Sequence, residues 1–146
     1  LHASYRRQRQ MCIRDSVGYL AKNKDVREIM KKFQKRIIKK NKRICVEGRD
    51  IASTILKKNP RYDLAFYFTC NLNEASIRRW KDLKKKVPLK EVKKSLSIRT
   101  RLDKKRKHSP LKKMRDAILI RTDKLNKKKV LLKMSREIEK INYKTL

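Results

Sequence analysis

The residues best equipped for chemistry in this sequence are arginines set beside carboxylates. The tightest grouping is Glu47-Gly48-Arg49-Asp50, two acids and an arginine around one of only two glycines. Arg27 stands upstream, and downstream come the pair Arg78-Arg79 and the spaced set Arg99, Asp103 and Arg106. Arginine is permanently charged and presents a planar fork, so it suits the gripping of phosphate. A carboxylate beside it can accept from an amine or hydroxyl, or hold a divalent cation through water. Taken one at a time, each residue also has a plainer reading. Arg27 and Arg78-Arg79 could be solvated charges on helices, and residues 48–50 an ordinary turn with a local ion pair. Arg99 and Asp103, four apart, could be a helical ion pair worth a few tenths of a kcal/mol. Trp80 reads as packing before base stacking, and His108 is not expected to move protons.

The elements that must position these residues alternate between helix and strand. Val26, Ile29, Met30, Phe33 and Ile37 recur at helical spacing behind Asp25, which can cap them; the run ends in a lysine-rich stretch suited to a helix carboxy terminus. Residues 44–48, ICVEG, read as a short buried parallel strand, followed by a turn and a short helix near residues 51–57 that Asn59-Pro60 breaks. Residues 63–70, DLAFYFTC, carry the strongest strand signal. A helix is expected over about 73–86, interrupted by Pro88, and a second from Leu89 toward Arg101. A cationic loop over 104–107 closes at Ser109-Pro110-Leu111, residues 117–122 (AILIRT) form a third strand, and a last helix covers about 126–141. Strands alternating with helices imply βα units and a parallel sheet covered on both faces. The Glu47 to Asp50 group would then lie at the carboxyl edge, where open parallel sheets bind ligands.

Composition narrows the partners. The chain has 146 residues, 46 Lys and Arg against 14 acids, and a formal charge of +32. That balance suits a nucleic-acid binder, but the lysines are spread along every expected helix and read better as solvated faces. A positive field also steers small anionic substrates inward. Cys12, Cys45 and Cys70 form no CxxC pair, and Cys45 and Cys70, lying in apolar runs, read as reduced core residues. No apolar run approaches membrane-spanning length, which points to a cytoplasmic protein. Residues 1–16 show no periodicity, resemble translated sequencing-adapter sequence, and are set aside as non-native; residues 17–146 are taken as the protein.

The segment Val46 to Ile51 is similar to the strand-ending motif of bacterial cytidylate kinases, an acid followed by Gly-Arg-Asp and an apolar residue. Four further matches follow the family's order. Val26-Arg27-Glu28 resembles its Val-Arg pair, Arg78-Arg79 its paired arginines, and Arg99, Asp103 and Arg106 its spaced Arg, Asp and Arg. Ser109 to Lys112 with Asp116-Ala117-Ile118 resembles the passage from its lid to a strand. The resemblance covers about residues 19–142 and implies the carboxy-terminal part of a P-loop nucleoside-monophosphate-kinase-like α/β fold. It implies transfer of a phosphoryl group from ATP to CMP or dCMP, with Mg²⁺ accompanying ATP, in a cytoplasmic and monomeric enzyme.

The same resemblance implies roles. Arg27 and Asp50 recognise the cytosine ring, Arg49 holds the monophosphate, and Asp103 accepts from sugar hydroxyls beside Arg99. Arg99 and Arg106 are the catalytic candidates; Arg106 and the Arg78-Arg79 pair neutralise the phosphoryl in flight or grip ATP. Glu47 binds magnesium through water. The family's phosphate loop, G-x-x-x-x-G-K-[ST], is not present; the only glycines are Gly18 and Gly48. The expectation is a piece lacking roughly the first two-fifths of a family member, inactive alone. Gly18, Ala75 and Thr100 stand where the family often has Ser, Arg and Asp. The rival readings are a basic RNA- or DNA-binding module, which would want clustered aromatics, and a related kinase for another small anion.

Overall fold

The computed structural model describes residues 23–41 and 43–142. They fall into two compact units, one of residues 23–41 and 43–61 with 106–110 and one of residues 62–105 with 111–142. Residues 1–16, expected to be non-native, lie outside the described residues, as does Cys12.

In the first unit, helix α1 spans Lys24–Lys40. Asn23, two residues ahead of the expected Asp25, caps it: its side-chain oxygen accepts from the Asp25 and Val26 amides at 2.8 and 3.2 Å. Asp25 instead places its charge in the first turn and Lys39 and Lys40 close the last, matching both ends of the helix dipole. The chain then forms a π-helical turn, Ile51–Ile55, closed by the Leu56 amide donating to the Ile51 carbonyl at 2.8 Å. This turn supplies the buried Ile55 and Leu56, and α1 packs against it. Lys35 tethers the helix to the Asn59 carbonyl at 2.7 Å. Much of α1's apolar stripe is nevertheless open, with Ile29 65% and Phe33 54% exposed.

Residues 44–48 are the main correction to the expected elements. They form no strand, and Ile44 and Cys45 are exposed. A strand exists only through its ladder, and among the described residues no neighbour pairs with this segment. The apolar run therefore remains extended chain, and Cys45 is a surface thiol, not a core one. Gly48 has a steric reason to be glycine: a Cβ there would meet the Ile51 Cγ1 at 2.7 Å. The turn that carries Arg49 and Asp50 is thereby folded tightly onto the π-helical turn.

The second unit holds β1 (Phe66–Thr69), α2 (Leu72–Asp82), α3 (Leu89–Lys105), β2 (Ile118–Arg121) and α4 (Lys127–Asn142). β1 and β2 pair in parallel, with Phe66 opposite Ile118 and Thr69 opposite Arg121. Parallel neighbours need a long crossover, which α2 and α3 provide while packing against one another. Ala65, Val92, Ala117 and Ile120 are buried, and Ser76 sits among the most buried residues with its hydroxyl donating to the Leu72 carbonyl. Phe68 and Leu119 stay exposed, so the sheet is not covered on both faces as expected. Asn71 caps α2 by accepting from the Glu74 amide at 2.8 Å. The helix ends at Asp82, four residues before the expected Lys86, because Lys84 and Lys85 take left-handed backbone at φ 53° and 60°. Lys85 then places its ammonium over the Trp80 ring, 5.1 Å from the centroid.

Candidate functional site

In the first unit the structure gathers two of the expected arginines around the carboxylate of a third expected residue, Asp50. Arg27 lies one turn into α1, and its guanidinium donates to Asp50 Oδ2 at 2.5 Å. Arg106 approaches the other oxygen, Oδ1, at 3.6 Å. Burial is substantial: the Arg27 and Asp50 side chains are each 16% exposed and that of Arg106 is 21% exposed. Asp50 is positioned because it precedes the π-helical turn, whose Thr54 amide donates to the Asp50 carbonyl at 2.8 Å. Arg106 is anchored by its Nε, which donates to the Ser109 carbonyl. Beside this triad lies a groove of about 190 Å³, lined in part by Lys24, Arg27, Lys31, Thr54, Lys107 and Ser109. It offers cations and hydroxyls, which suits an anionic, hydrogen-bonding ligand. Arg49 and Glu47 are on the exposed segment next to it in sequence.

The second unit carries the remaining candidates. Arg99 and Asp103 are one turn apart on α3, with Arg99 Nε 4.0 Å from the Asp103 carboxylate. Arg99 is exposed whereas the Asp103 side chain is only 17% exposed. The Asp103 carbonyl also accepts from the Leu111 amide at 2.8 Å, which closes the chain after α3. Arg78 and Arg79 are adjacent on α2 but differently used. Arg78 Nε donates to Glu74 at 2.7 Å, and its Nη2 donates to the Thr122 and Asp123 carbonyls at 2.7 and 3.2 Å. Arg79 is half-buried, and among the described residues its guanidinium has no hydrogen-bond or ion-pair partner. An apolar groove of about 340 Å³ runs past Arg78 and Thr122, walled by Leu125, Val130, Leu131 and Met134.

Reading the sequence alone missed two residues that shape this edge. Asp123, just past β2, accepts from the Asn71 amide at 2.5 Å, and this bond holds its carboxyl below the usual value of 3.8. Thr122 bonds the Thr69 carbonyl through both its amide and its hydroxyl, at 2.8 and 3.0 Å. A polar pair directly after an apolar strand was the available signal. Among the described residues no group of three or more His, Cys, Asp or Glu could hold a metal, and no helix is long and apolar enough to cross a membrane.

The parallel pairing of β1 and β2 across the helical crossover defines a parallel α/β protein. The sequence model of the cytidylate kinase family matches residues 6–140, starting inside the stretch set aside as non-native. The chain is 35% identical to the cytidylate kinase of Alkaliphilus oremlandii over 117 residues, 78% of this chain and 52% of that one. It is 34% identical to the cytidylate kinase of Caldanaerobacter subterraneus over 135 residues, 90% of this chain and 58% of the relative. With the cytidylate kinase of Clostridium botulinum the figures are 33%, 90% and 60%. The chain belongs to the cytidylate kinase family. The family carries the P-loop nucleoside-monophosphate-kinase fold, of which the small parallel sheet and its helices are a part. The chain spans between half and three-fifths of the length of these relatives.

Proposed function

We propose that a full-length protein carrying this chain transfers a phosphoryl group from ATP to CMP or dCMP, giving CDP or dCDP. The observation that supports this most is the partly buried Arg27–Asp50 pair at 2.5 Å. Asp50 accepts from the exocyclic amine of cytosine while Arg27 donates to a ring oxygen or nitrogen; uracil, with a carbonyl in place of the amine, is disfavoured. Arg49 holds the monophosphate with its fork. Arg99 lies by the phosphates and sugar, and Asp103 accepts from sugar hydroxyls.

Phosphoryl transfer asks the protein mainly for positioning and charge neutralisation. Arg99 and Arg79 serve that need, and Arg79 is the uncommitted member of its pair. Arg78 supports the same edge through the carbonyls it holds. An exposed Glu47 fits Mg²⁺ bound through water, since this ion keeps several waters and binds one or two carboxylates beside substrate phosphates. Mg²⁺ would supply charge neutralisation at the ATP phosphates. The working form is taken as a cytoplasmic monomer with ATP and CMP or dCMP as its partners. The test is ADP release by the full-length protein with CMP, dCMP and UMP. CMP or dCMP should be preferred over UMP, and equal use of all three would remove the base-reading site.

A further inference from the structure

We propose that one face of α3 is a docking surface for single-stranded RNA, held by its phosphate backbone without regard to base. The surface is separate from the residues assigned to CMP and ATP, and the inference does not rest on those assignments.

The helix sorts its own cations. At about 100° per residue, Lys90, Lys93, Lys94, Arg101, Lys104 and Lys105 fall within one arc of about 120° on α3. Ser97 completes the arc, and neither acid of the helix, Glu91 or Asp103, lies within it. All six cations are exposed, and among the described residues none of their side chains has a hydrogen-bond or ion-pair partner. Val92, 5% exposed, and the half-buried Leu96 lie on the far side of the helix. Arg99 lies on that far side too, so the arc points away from the residue assigned to phosphates and sugar.

The other described helices show no such sorting. Asp25 and Glu28 fall among the basic positions of α1, and Glu74 and Asp82 among those of α2. In α4 the basic positions are broken by Glu139 and by the exposed Leu131 and Leu132. A lysine-rich composition accounts for the number of cations, but not for an α3 face free of acid.

Charge and shape choose the partner. Cations three and four apart on a helix repel, so bare α3 gains nothing from this face. A polyanion relieves the repulsion and releases its own counterions. From Lys90 to Lys105 the row runs about 22 Å, the length of about six phosphates of one strand. A flexible single strand can follow a straight row, whereas a stiff duplex winds both backbones away from it. RNA is the nucleic acid commonly met unpaired. No aromatic side chain lies on the arc to stack a base, so the contact is one of backbone charge. An anionic membrane fits less well, because a helix lying among headgroups presents an apolar face and this arc has none.

The experiment follows a fluorescent oligouridylate by anisotropy across a salt series, with a full-length protein carrying this chain. Duplex DNA and phosphatidylserine vesicles are run beside it. One variant combines Lys90→Gln, Lys94→Gln, Arg101→Gln and Lys105→Gln. A control combines Lys127→Gln, Lys128→Gln, Lys129→Gln and Lys133→Gln, which removes the same charge from exposed positions of α4. Glutamine sustains helices, so both should keep the wild-type circular dichroism. The α3 variant should flatten the slope of log K against log salt by about 3, and weaken binding at least about tenfold near 0.1 M salt. The α4 control should change the slope by less than about 1. Lys90→Arg, Lys94→Arg and Lys105→Arg together keep the charge and should bind as wild type does; this set tests the face should the glutamine variant not fold. Equal losses in the α3 and α4 variants, or loss of binding in the arginine set, overturn the proposal. So does duplex or vesicle binding that depends on the α3 cations while oligouridylate binding does not.

Discussion

The Arg78 guanidinium donates to the Thr122 carbonyl at 2.7 Å, across 44 residues of sequence. With its bonds to the Asp123 carbonyl and Glu74, it ties α2 to the chain leaving β2. Hydrogen bonds from a charged donor contribute about 1.5–3 kcal/mol each when well formed, less where half exposed. Arg78→Met should therefore lower unfolding free energy by about 1–3 kcal/mol. Arg78→Lys should recover less than half, because one ammonium cannot span two carbonyls and a carboxylate. Urea unfolding of both variants checks this; a loss of a few tenths would mean that the clasp is only decorative.

Asp50→Asn should hurt CMP use more than UMP use in a full-length protein. Asparagine keeps the size but weakens the acceptor facing the cytosine amine. Loss of a hydrogen bond to a charged group should reduce the CMP-to-UMP ratio of kcat/KM by at least roughly tenfold. Binding to RNA at a given salt concentration should hardly change, since no phosphate-contacting cation is removed.

The Asn71 amide gives Asp123 a pH signature. Its carboxyl is lowered below 3.8 chiefly by that bond, so the folded form binds its proton less readily than the unfolded one. Such a group stabilises the fold fully above 3.8, and the contribution fades as pH falls through the lower folded value. Asp123→Asn should thus lower Tm most near neutral pH, with the gap to wild type narrowing in strongly acidic buffer. A gap that widens on acidification would show the carboxyl to be raised, not lowered.

The 146 residues contain no G-x-x-x-x-G-K-[ST] motif, whose amides and lysine cradle ATP phosphates. The chain as it stands should give no ADP release with CMP above background, while a full-length protein carrying it should turn over. Coupled-assay rates from the two, at equal concentration, decide the matter.

Periodicity exposed much of this architecture. The stripe from Val26 to Ile37 foretold α1, and the aromatic run foretold β1, because each pattern lies within one short stretch of sequence. Residues 44–46 failed as a strand since a ladder partner lies outside any short window. The end of α2 was misjudged because lysines that turn left-handed look like lysines that continue a helix. In the site, Arg27, Asp50 and Arg106 were legible through family order, but their convergence on a single carboxylate was not. The Arg78 clasp binds carbonyls, which every residue possesses and no sequence advertises.

Thr69 and Thr122 meet with 53 residues between them, and that separation sets an order of events. The entropy of closing so long a loop opposes the parallel pair until intervening chain is already compact. α2 and α3 pack on each other nearby in sequence, so they should condense early and draw the two strands within reach. Loosening α3 at its buried Val92 should accordingly slow refolding, whereas trimming Ile120 to Val should mainly quicken unfolding. Stopped-flow traces of the two variants would separate a barrier made of helices from one made of sheet.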